Sequence, residues 1–450
     1  MNPDWLDHAR RAVPRYTSYP TAADFTAAAG EAEAAAWAAS APRGEPLSVY
    51  LHIPFCETLC WYCGCATSVP NGYARVGAYA ARLQQEADLW ARAVGEHGGI
   101  GHLHFGGGSP NALRADDFAA LVARLKSGFG LRGDAEIAVE LDPRTMHDGQ
   151  VEAFAAAGVT RVSLGVQTLA PAVQAAVNRI QPPDMVAGLV ADLRRAGIGA
   201  INMDLMYGLP HQTTEDVAAA ARFAAEQGAA RISVFGYAHV PWFAKHQKAI
   251  DDAALPDLPD RLEQAGVAAD VLKAAGYRPI GLDHYARASD PLAVAASEGR
   301  LRRNFQGYTD DPCETLIGMG ATSISQFREG FVQNCKDRKI WGEAVAAGRL
   351  PVERGIALTP DDRLRARAIE QLMCALEVDA NAVCSEMGAP EGCLEDALAR
   401  TRALQPAGLC TVDGSVVRVP DSARLFLRTV AQCFDARTSA APEQRHAKAV

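Results

Sequence analysis

Six short, nearly continuous apolar runs, each followed by a stretch of helical spacing, constrain this chain more than any other feature. The runs are SVYLHIPF (48–55), HLHFGGG (102–108), EIAVELDP (136–143), RVSLGVQT (161–168), AINMDLMYGLP (200–210) and RISVFGYAHV (231–240). They are rich in β-branched and aromatic residues, as expected of strands covered on both faces. Residues 78–94, 117–129, 146–158, 171–179, 185–197 and 214–228 read as helices, and several end in glycine, a C-cap signal. Strand then helix, repeated six times, calls for an α/β fold with a parallel sheet and right-handed crossovers. Six such units point to a barrel, or part of one, rather than an open sheet.

A length of 450 residues exceeds the roughly 250–300 that one core sustains, so further structure must flank the barrel. Residues 1–45 form an N-terminal arm, with the Pro-bounded stretch PRYTSYPTAADF (14–25) read as extended. The barrel and its extension occupy residues 46–350. The extension holds a helix at 259–275, a strand-like 277–286, a polar loop-like 300–312 and the apolar run 316–327. Residues 351–450 read as an accessory domain: a helix at 360–378, a hairpin pattern at 409–419 around Asp413-Gly414, and a last helix at 421–436. That makes it mostly helical and winged-helix-like.

The formal net charge of -9 gives no general attraction to nucleic acid or anionic membrane. No apolar run approaches the roughly 18 residues of a membrane span. The first residues, MNPDWLDHARRAVPRY, contain no apolar signal core, so a cytoplasmic location is expected. Thiols stay reduced there, and eleven unevenly spread cysteines argue against a disulfide framework. Seven of them, from Cys313 to Cys433, read as small buried apolar residues.

The polar residues gather at the C-terminal ends of the strand runs: Cys56, Gly106 to Ser109, Glu140 and Asp142, Gln167, Asp204 with Tyr207, and Tyr237 with His239. Parallel α/β barrels keep their chemistry at that rim. Any one of these residues could simply cap the next helix, but six strand ends converging on one rim argue for a site.

The remaining four cysteines, Cys56, Cys60, Cys63 and Cys65, fall within ten residues. The spacing is C-x3-C-x2-C followed by x-C. Structural zinc sites usually pair two C-x2-C units a dozen or more residues apart, and no second pair follows. Three thiols on one loop suit a cubane iron–sulfur cluster with one iron left open. Zinc and free thiols remain as alternatives on spacing alone.

This loop resembles the hallmark of the radical S-adenosylmethionine (SAM) enzymes. A longer set of motifs resembles one family among them, the oxygen-independent coproporphyrinogen III oxidases (dehydrogenases). The set comprises RYTSYP (15–20), YLHIPFCETLCWYCGC (50–65), LHFGGGSP (103–110), VELDPR (139–144), SLGVQT (163–168), VNR (177–179), NMDLMYGLP (202–210), SVFGYAH (233–239), HYAR (284–287) and RNFQGYT (303–309).

The resemblance spans about residues 14 to 436 and implies a radical SAM (β/α)6 partial TIM barrel. It implies a 4Fe–4S cluster on Cys56, Cys60 and Cys63, with SAM on the fourth iron and a second SAM close by. SAM contacts carry over to Tyr50, Tyr62, Gly107, Gly108, Ser109, Glu140, Gln167, Arg179, Asp204, Ala238 and Ile324. Two positions depart from the commonest pattern: Ser109 stands where the family often has Thr, and Tyr62 where it commonly has Phe.

The implied reaction converts the ring A and B propionates of coproporphyrinogen III to vinyl groups, giving protoporphyrinogen IX. A 5′-deoxyadenosyl radical removes a hydrogen from the propionate β-carbon, and CO2 and one electron then leave. A low-potential electron donor such as flavodoxin or ferredoxin and a monomeric state are also implied. Cys65 and Tyr62 form the catalytic set. The substrate carries four carboxylates, so an acidic chain needs a local basic wall, for which Arg15, Arg302 and Arg303 are candidates, with Tyr16 and Tyr19 packing on the macrocycle. The competing expectation is a radical SAM-like haem chaperone. Such relatives lack both the fourth cysteine and the RYTSYP arm, and this chain has both.

Overall fold

The computed structural model describes residues 4–437. All six expected strands form: β1 (Leu47–Ile53), β2 (Ile100–Gly107), β3 (Leu131–Leu141), β4 (Arg161–Gln167), β5 (Ala200–Tyr207) and β6 (Arg231–Gly236). They pair side by side in chain order, all parallel. Val49, Leu51, Leu103, Phe105, Val139, Val162, Ile201 and Met203 are buried in the core these strands share with their crossover helices.

The inner face differs from the two-sided apolar pattern read from sequence. Along β5, burial alternates: Ile201, Met203, Leu205 and Tyr207 are buried, while Asn202, Asp204 and Met206 are half-exposed. With His104, Glu140, Ser163 and Ser233, the polar members line a cavity of about 260 Å3. This interior is polar and hollow, unlike the packed core of a full eight-stranded barrel.

The strands that follow extend the sheet without closing it. β7 (Arg278–Ile280) and β8 (His284–Ala286) add antiparallel beyond β6. β11 (Leu316–Met319) pairs parallel with β1, and β12 (Ile324–Gln326), β13 (Gly330–Asn334) and β14 (Val352–Ala357) follow it antiparallel. The twelve-stranded sheet therefore ends at β14 on one side and β7 on the other. The polar stretch 300–312, read as a loop, instead forms a hairpin of β9 (Arg302–Asn304) and β10 (Gly307–Thr309). Its Gln306, Tyr308 and Thr309 join the cavity wall.

The C-terminal region begins with the helix Pro360–Ala375, capped by Thr359, whose hydroxyl accepts from the Asp362 N–H. Two further helices, Ala380–Glu386 and Glu395–Arg402, follow. The hairpin around Gly414, where φ is +58°, comprises β16 (Thr411–Asp413) and β17 (Val416–Arg418). It gains a third strand that the sequence reading missed, β15 (Glu377–Asp379). The last expected helix, 421–436, divides into a 3-10 turn at Asp421–Phe426, an α-helix at Leu427–Ala431 and a second 3-10 turn at Gln432–Phe434. Residues 1–3 and 438–450, within the arm and accessory regions read from sequence, lie outside the described residues. No described helix is long and apolar enough to cross a membrane.

One buried carboxylate ties these parts together. Glu86, on the helix Tyr73–Ala93, accepts N–H bonds from Gly320 (2.7 Å), Trp341 (2.9 Å) and Asn334 (2.7 Å). Burial raises its carboxyl from 4.5 to about 7. A raised acid favours the protonated folded state, so its stabilising contribution is complete below pH 4.5 and is lost as pH rises through about 7. At 1.36 kcal/mol per unit the swing is about 3 kcal/mol. In urea unfolding, the wild type should lose stability between about pH 5 and pH 8 relative to Glu86→Gln, which does not titrate. Parallel pH curves for the two proteins would refute this.

Candidate active site

The cysteine loop leaves the C-terminal end of β1 and is pinned from several directions. The Cys56 N–H donates to Ser68 O (3.1 Å), and the Trp61 N–H to Val177 O (3.0 Å). Asn178 Nδ2 donates to Leu59 O (2.9 Å) and Gln247 Nε2 to Tyr62 O (2.9 Å), while His246 Nε2 lies 2.6 Å from Cys63 O. Two segments distant in sequence, at 177–178 and 246–247, together with nearby Ser68 thus hold one loop. No pattern in the loop itself announces those partners.

Two buried arginines reach the sulfur of Cys60. Arg144 Nη2 donates to Cys60 Sγ at 3.2 Å and Arg179 Nη1 at 3.3 Å. Both also pair with Asp142, at 2.6 Å and 3.2 Å, and each side chain in the trio is about a tenth exposed or less. Burial pushes the Asp142 carboxyl up, but the Arg144 hydrogen bonds and the Arg179 charge outweigh it and hold the group below its usual range. The trio is a compensated buried network, the arrangement a low-dielectric site requires.

The other sulfurs differ in character. The hydrogen bond with Cys65 brings the Cys63 thiol down to about 6 despite its burial, with help from His246 and Arg179. The same bond pushes Cys65 well above the ordinary thiol value. Burial raises Cys56 to about 11, and its Sγ lies 3.1 Å from Thr67 Oγ1.

Beside the loop, the end of β2 approaches β1 so closely that only glycine fits. Gly107 has φ +112°, and a Cβ there would lie 2.6 Å from the His52 ring. A Cβ on Gly108 would collide with Phe55 O and Thr67 Oγ1. These are positions where backbone must come near backbone or ligand. Ser109 is buried; its hydroxyl accepts from the Asp142 N–H (3.2 Å) and bonds Asn111, stitching β2 to β3.

Glu140, at the end of β3, accepts from His104 Nε2 (3.0 Å) and from the Gly107 N–H (3.3 Å). Burial pushes its carboxyl up, but these bonds and the charge of His104 hold it low. Asp204 accepts from Ser163 Oγ (2.9 Å) and Asn202 Nδ2 (2.9 Å); burial, with the charge of Glu140, raises its carboxyl. Tyr50, on β1, has its hydroxyl 3.1 Å from His52 Nδ1 and its ring 5.7 Å from that of His104. Gln167, at the end of β4, holds φ +64°, a left-handed backbone uncommon outside glycine.

The sequence candidates thus fall into two joined groups. Cys56, Cys60, Cys63, Tyr62 and Arg179 surround the loop. Glu140 and Asp204 line the cavity, Tyr50 stacks on its wall residue His104 and Gly107 bonds Glu140, and Cys65 feels the charges of Glu140 and Cys56. Ala238 joins through Gln247, which donates to both Ala238 O (3.2 Å) and Tyr62 O. Ile324 sits on β12 against Gly318, which pairs with Tyr50.

The proposed substrate residues divide. Arg303 donates to the carbonyls of Tyr16 (3.1 Å) and Arg15 (3.3 Å) and lies 4.3 Å above the Tyr308 ring. Arg302 is engaged by Glu370 at 3.0 Å. Tyr16 and Tyr19 are buried; the Tyr16 hydroxyl donates to Asp435 (2.9 Å), and that of Tyr19 accepts from the Ala436 N–H (3.0 Å). Sequence reasoning missed Arg144, His246 and Gln247. Only Arg144 left a signal, in the strand-end motif ELDPR.

No three of the described His, Cys, Asp or Glu side chains are arranged around a single metal ion. The donor set fits a larger centre: three thiols on one loop, one drawn toward thiolate and one receiving two guanidinium N–H bonds, as cluster sulfurs do.

Comparison with known proteins agrees with this geometry. The Radical SAM superfamily matches residues 50–224. The oxygen-independent coproporphyrinogen III oxidase of Bradyrhizobium diazoefficiens is 44% identical over 446 residues, covering 99% of both chains. That of Cereibacter sphaeroides is 40% identical over 437 residues, covering 97% of this chain and 96% of the relative. The solved coproporphyrinogen III oxidase of Escherichia coli, described as a Radical SAM enzyme, superposes with a TM-score of 0.89 at 37% identity, covering 94% of this chain and 97% of that one.

Proposed function

The chain belongs to the oxygen-independent coproporphyrinogen III oxidases of the Radical SAM superfamily, and on that premise we propose that it oxidatively decarboxylates the ring A and B propionates of coproporphyrinogen III. The product is protoporphyrinogen IX, on the route to haem. The observation that carries the reading is the junction of the cysteine loop, at the end of β1, with the polar cavity inside the barrel, where Cys65 feels the charge of the cavity-lining Glu140.

When bound, the 4Fe–4S cluster and SAM supply a carbon radical able to take hydrogen from a propionate β-carbon. The chain's own residues hold and orient. Cys56, Cys60 and Cys63 would ligate the cluster, and Arg144 and Arg179 keep the Cys60 sulfur in place as hydrogen-bond acceptor. Gly107 and Gly108 allow close backbone approach to SAM. Glu140 and Asp204 would accept from its hydroxyl or amino groups, Ser109 and Gln167 would border it, and Arg179 would pair with a methionyl carboxylate. Tyr50, Tyr62, Ala238 and Ile324 would wall its pocket, and a second SAM would bind close by. Arg15 and Arg303 provide positive charge for substrate carboxylates, with Tyr16, Tyr19 and Arg302 bracing that wall. The arm closes the site against water, which a radical intermediate requires. A monomer in the cytoplasm, reduced by a flavodoxin- or ferredoxin-like donor, completes the proposal.

The test is anaerobic turnover of coproporphyrinogen III with SAM and a low-potential reductant, comparing wild type with Cys65→Ser. Cys65 contributes its N–H to Cys63 Sγ (3.3 Å), a backbone bond that serine retains. The variant should keep its iron and lose vinyl formation. A variant that turns over like wild type would remove Cys65 from the chemistry. Wild type that cleaves SAM but forms no protoporphyrinogen would overturn the functional reading.

A further inference from the structure

Far from the barrel rim, in the C-terminal domain, two cysteines that the sequence reading took for inert apolar residues lie sulfur to sulfur. Cys384 Sγ and Cys393 Sγ are 2.7 Å apart. That is closer than unbonded sulfurs ordinarily sit and longer than the roughly 2.0 Å of a disulfide. Both residues are free thiols in the structure.

The backbone between them is built to bring them together. Cys384 is fully buried near the end of the helix Ala380–Glu386. The chain reverses through Gly388 and Gly392, with φ of +66° and +80°. The Ala389 N–H returns to Cys384 O (2.8 Å), the Cys393 N–H donates to Pro390 O (3.3 Å), and the Gly392 N–H donates to Asn381 Oδ1 (3.3 Å). Asn381 Nδ2 fixes the loop further through Glu391 (3.1 Å). Cys393 is partly exposed while Cys384 is fully buried, so Cys393 is the member of the pair nearer to solvent.

We propose that Cys384 and Cys393 form a reversible disulfide, a redox modification site separate from the cluster loop. A small-molecule disulfide of the glutathione type is the oxidant. The Cys393 thiolate attacks it, releasing one small thiol and leaving a mixed disulfide on Cys393. The Cys384 thiolate then attacks the Cys393 sulfur and expels the second small thiol. The protein pair loses two electrons and two protons, and the small disulfide gains both. The new bond ties the helix Ala380–Glu386 to the start of the helix Glu395–Arg402. Asp396 of that helix pairs with Arg365 (3.3 Å), and Arg365 in turn donates to Phe434 O (3.2 Å), next to the Asp435 that holds Tyr16. Oxidation therefore stiffens the seat of the N-terminal arm. Burial and the neighbouring Cys384 raise the Cys393 thiol to about 11, so exchange is slow at neutral pH and quickens in alkali.

The full-length protein, reduced and then exposed anaerobically to oxidised glutathione, should yield a cross-linked peptide joining Cys384 to Cys393 by mass spectrometry. Dithiothreitol should remove it, while labelling of buried Cys410 stays unchanged. The thermal midpoint of wild type should rise on oxidation, whereas that of Cys393→Ser should match reduced wild type and not respond. Equal alkylation of both cysteines before and after oxidation, or a glutathione adduct on Cys393 with no cross-link, would overturn the proposal.

Discussion

Cys63→Ser protein, prepared without oxygen, is expected to emerge colourless, nearly free of iron and inactive. Cys63 is the loop thiol that the hydrogen bond with Cys65, with help from His246 and Arg179, draws toward thiolate before any metal arrives. Thiolate is the ligand form, and a serine hydroxyl stays protonated there. The loop then offers Cys60 and a Cys56 whose thiol burial raises to about 11. Two ligands, one reluctant to ionise, do not hold a cubane. Iron analysis, visible absorbance and SAM cleavage all read the loss, and the fold should survive because Cys63 is only partly buried on a loop pinned by backbone bonds. Cys63→Ser that retains a full cluster would remove this residue from the ligand set.

Asp142→Ala should be the most destabilising single change near the site, at about 3–5 kcal/mol, the usual cost of leaving buried charge uncompensated. Removing the carboxylate strands Arg144 and Arg179, both nearly inaccessible, against each other and against Cys60. It also removes the cap on the Arg144 N–H, which donates to Asp142 Oδ1 at 3.1 Å. Urea unfolding should show a lower midpoint with an unchanged slope, since the barrel still buries the same surface. The double change Asp142→Ala with Arg144→Met should recover part of the loss by removing one of the stranded cations. A single variant within about 0.5 kcal/mol of wild type would mean that solvent reaches the trio.

The barrel was legible because its strands need two covered faces, and their outward residues write that need as apolar runs. What the runs hid was their inner face: Asn202 and Asp204 sit inside one of them and line a hollow. The β9–β10 hairpin was hidden for the opposite reason. Arg302, Arg303 and Asn304 pair as a strand whose side chains are held by Glu370 and by the arm, so tertiary contacts override a polar sequence. At residues 421–436 the sequence reads as one helix, yet both ends tighten to 3-10 turns, a difference too small for periodicity to register. The cysteine loop was legible because its spacing is local. Arg144 stood in the motif ELDPR, but its partner did not show: 84 residues separate it from Cys60, and they meet only once the sheet sets the β1 and β3 ends on either side of β2. The Cys384–Cys393 pair shows the same limit: the turn that joins their sulfurs depends on Asn381 as much as on the two glycines.

The clasp between Tyr16 and Asp435 spans 419 residues, almost the whole chain, and Tyr19 with Ala436 repeats it over 417. A ribosome delivers the first partner long before the last. The strands β1 to β6 and the cysteine loop are already made while nearly half the polypeptide is still unmade. The arm meanwhile has nothing to grip. Its docking is thus the closing act of biosynthesis, and a truncation before Phe434 would leave the barrel's own sequence whole but deprive the arm of its anchor.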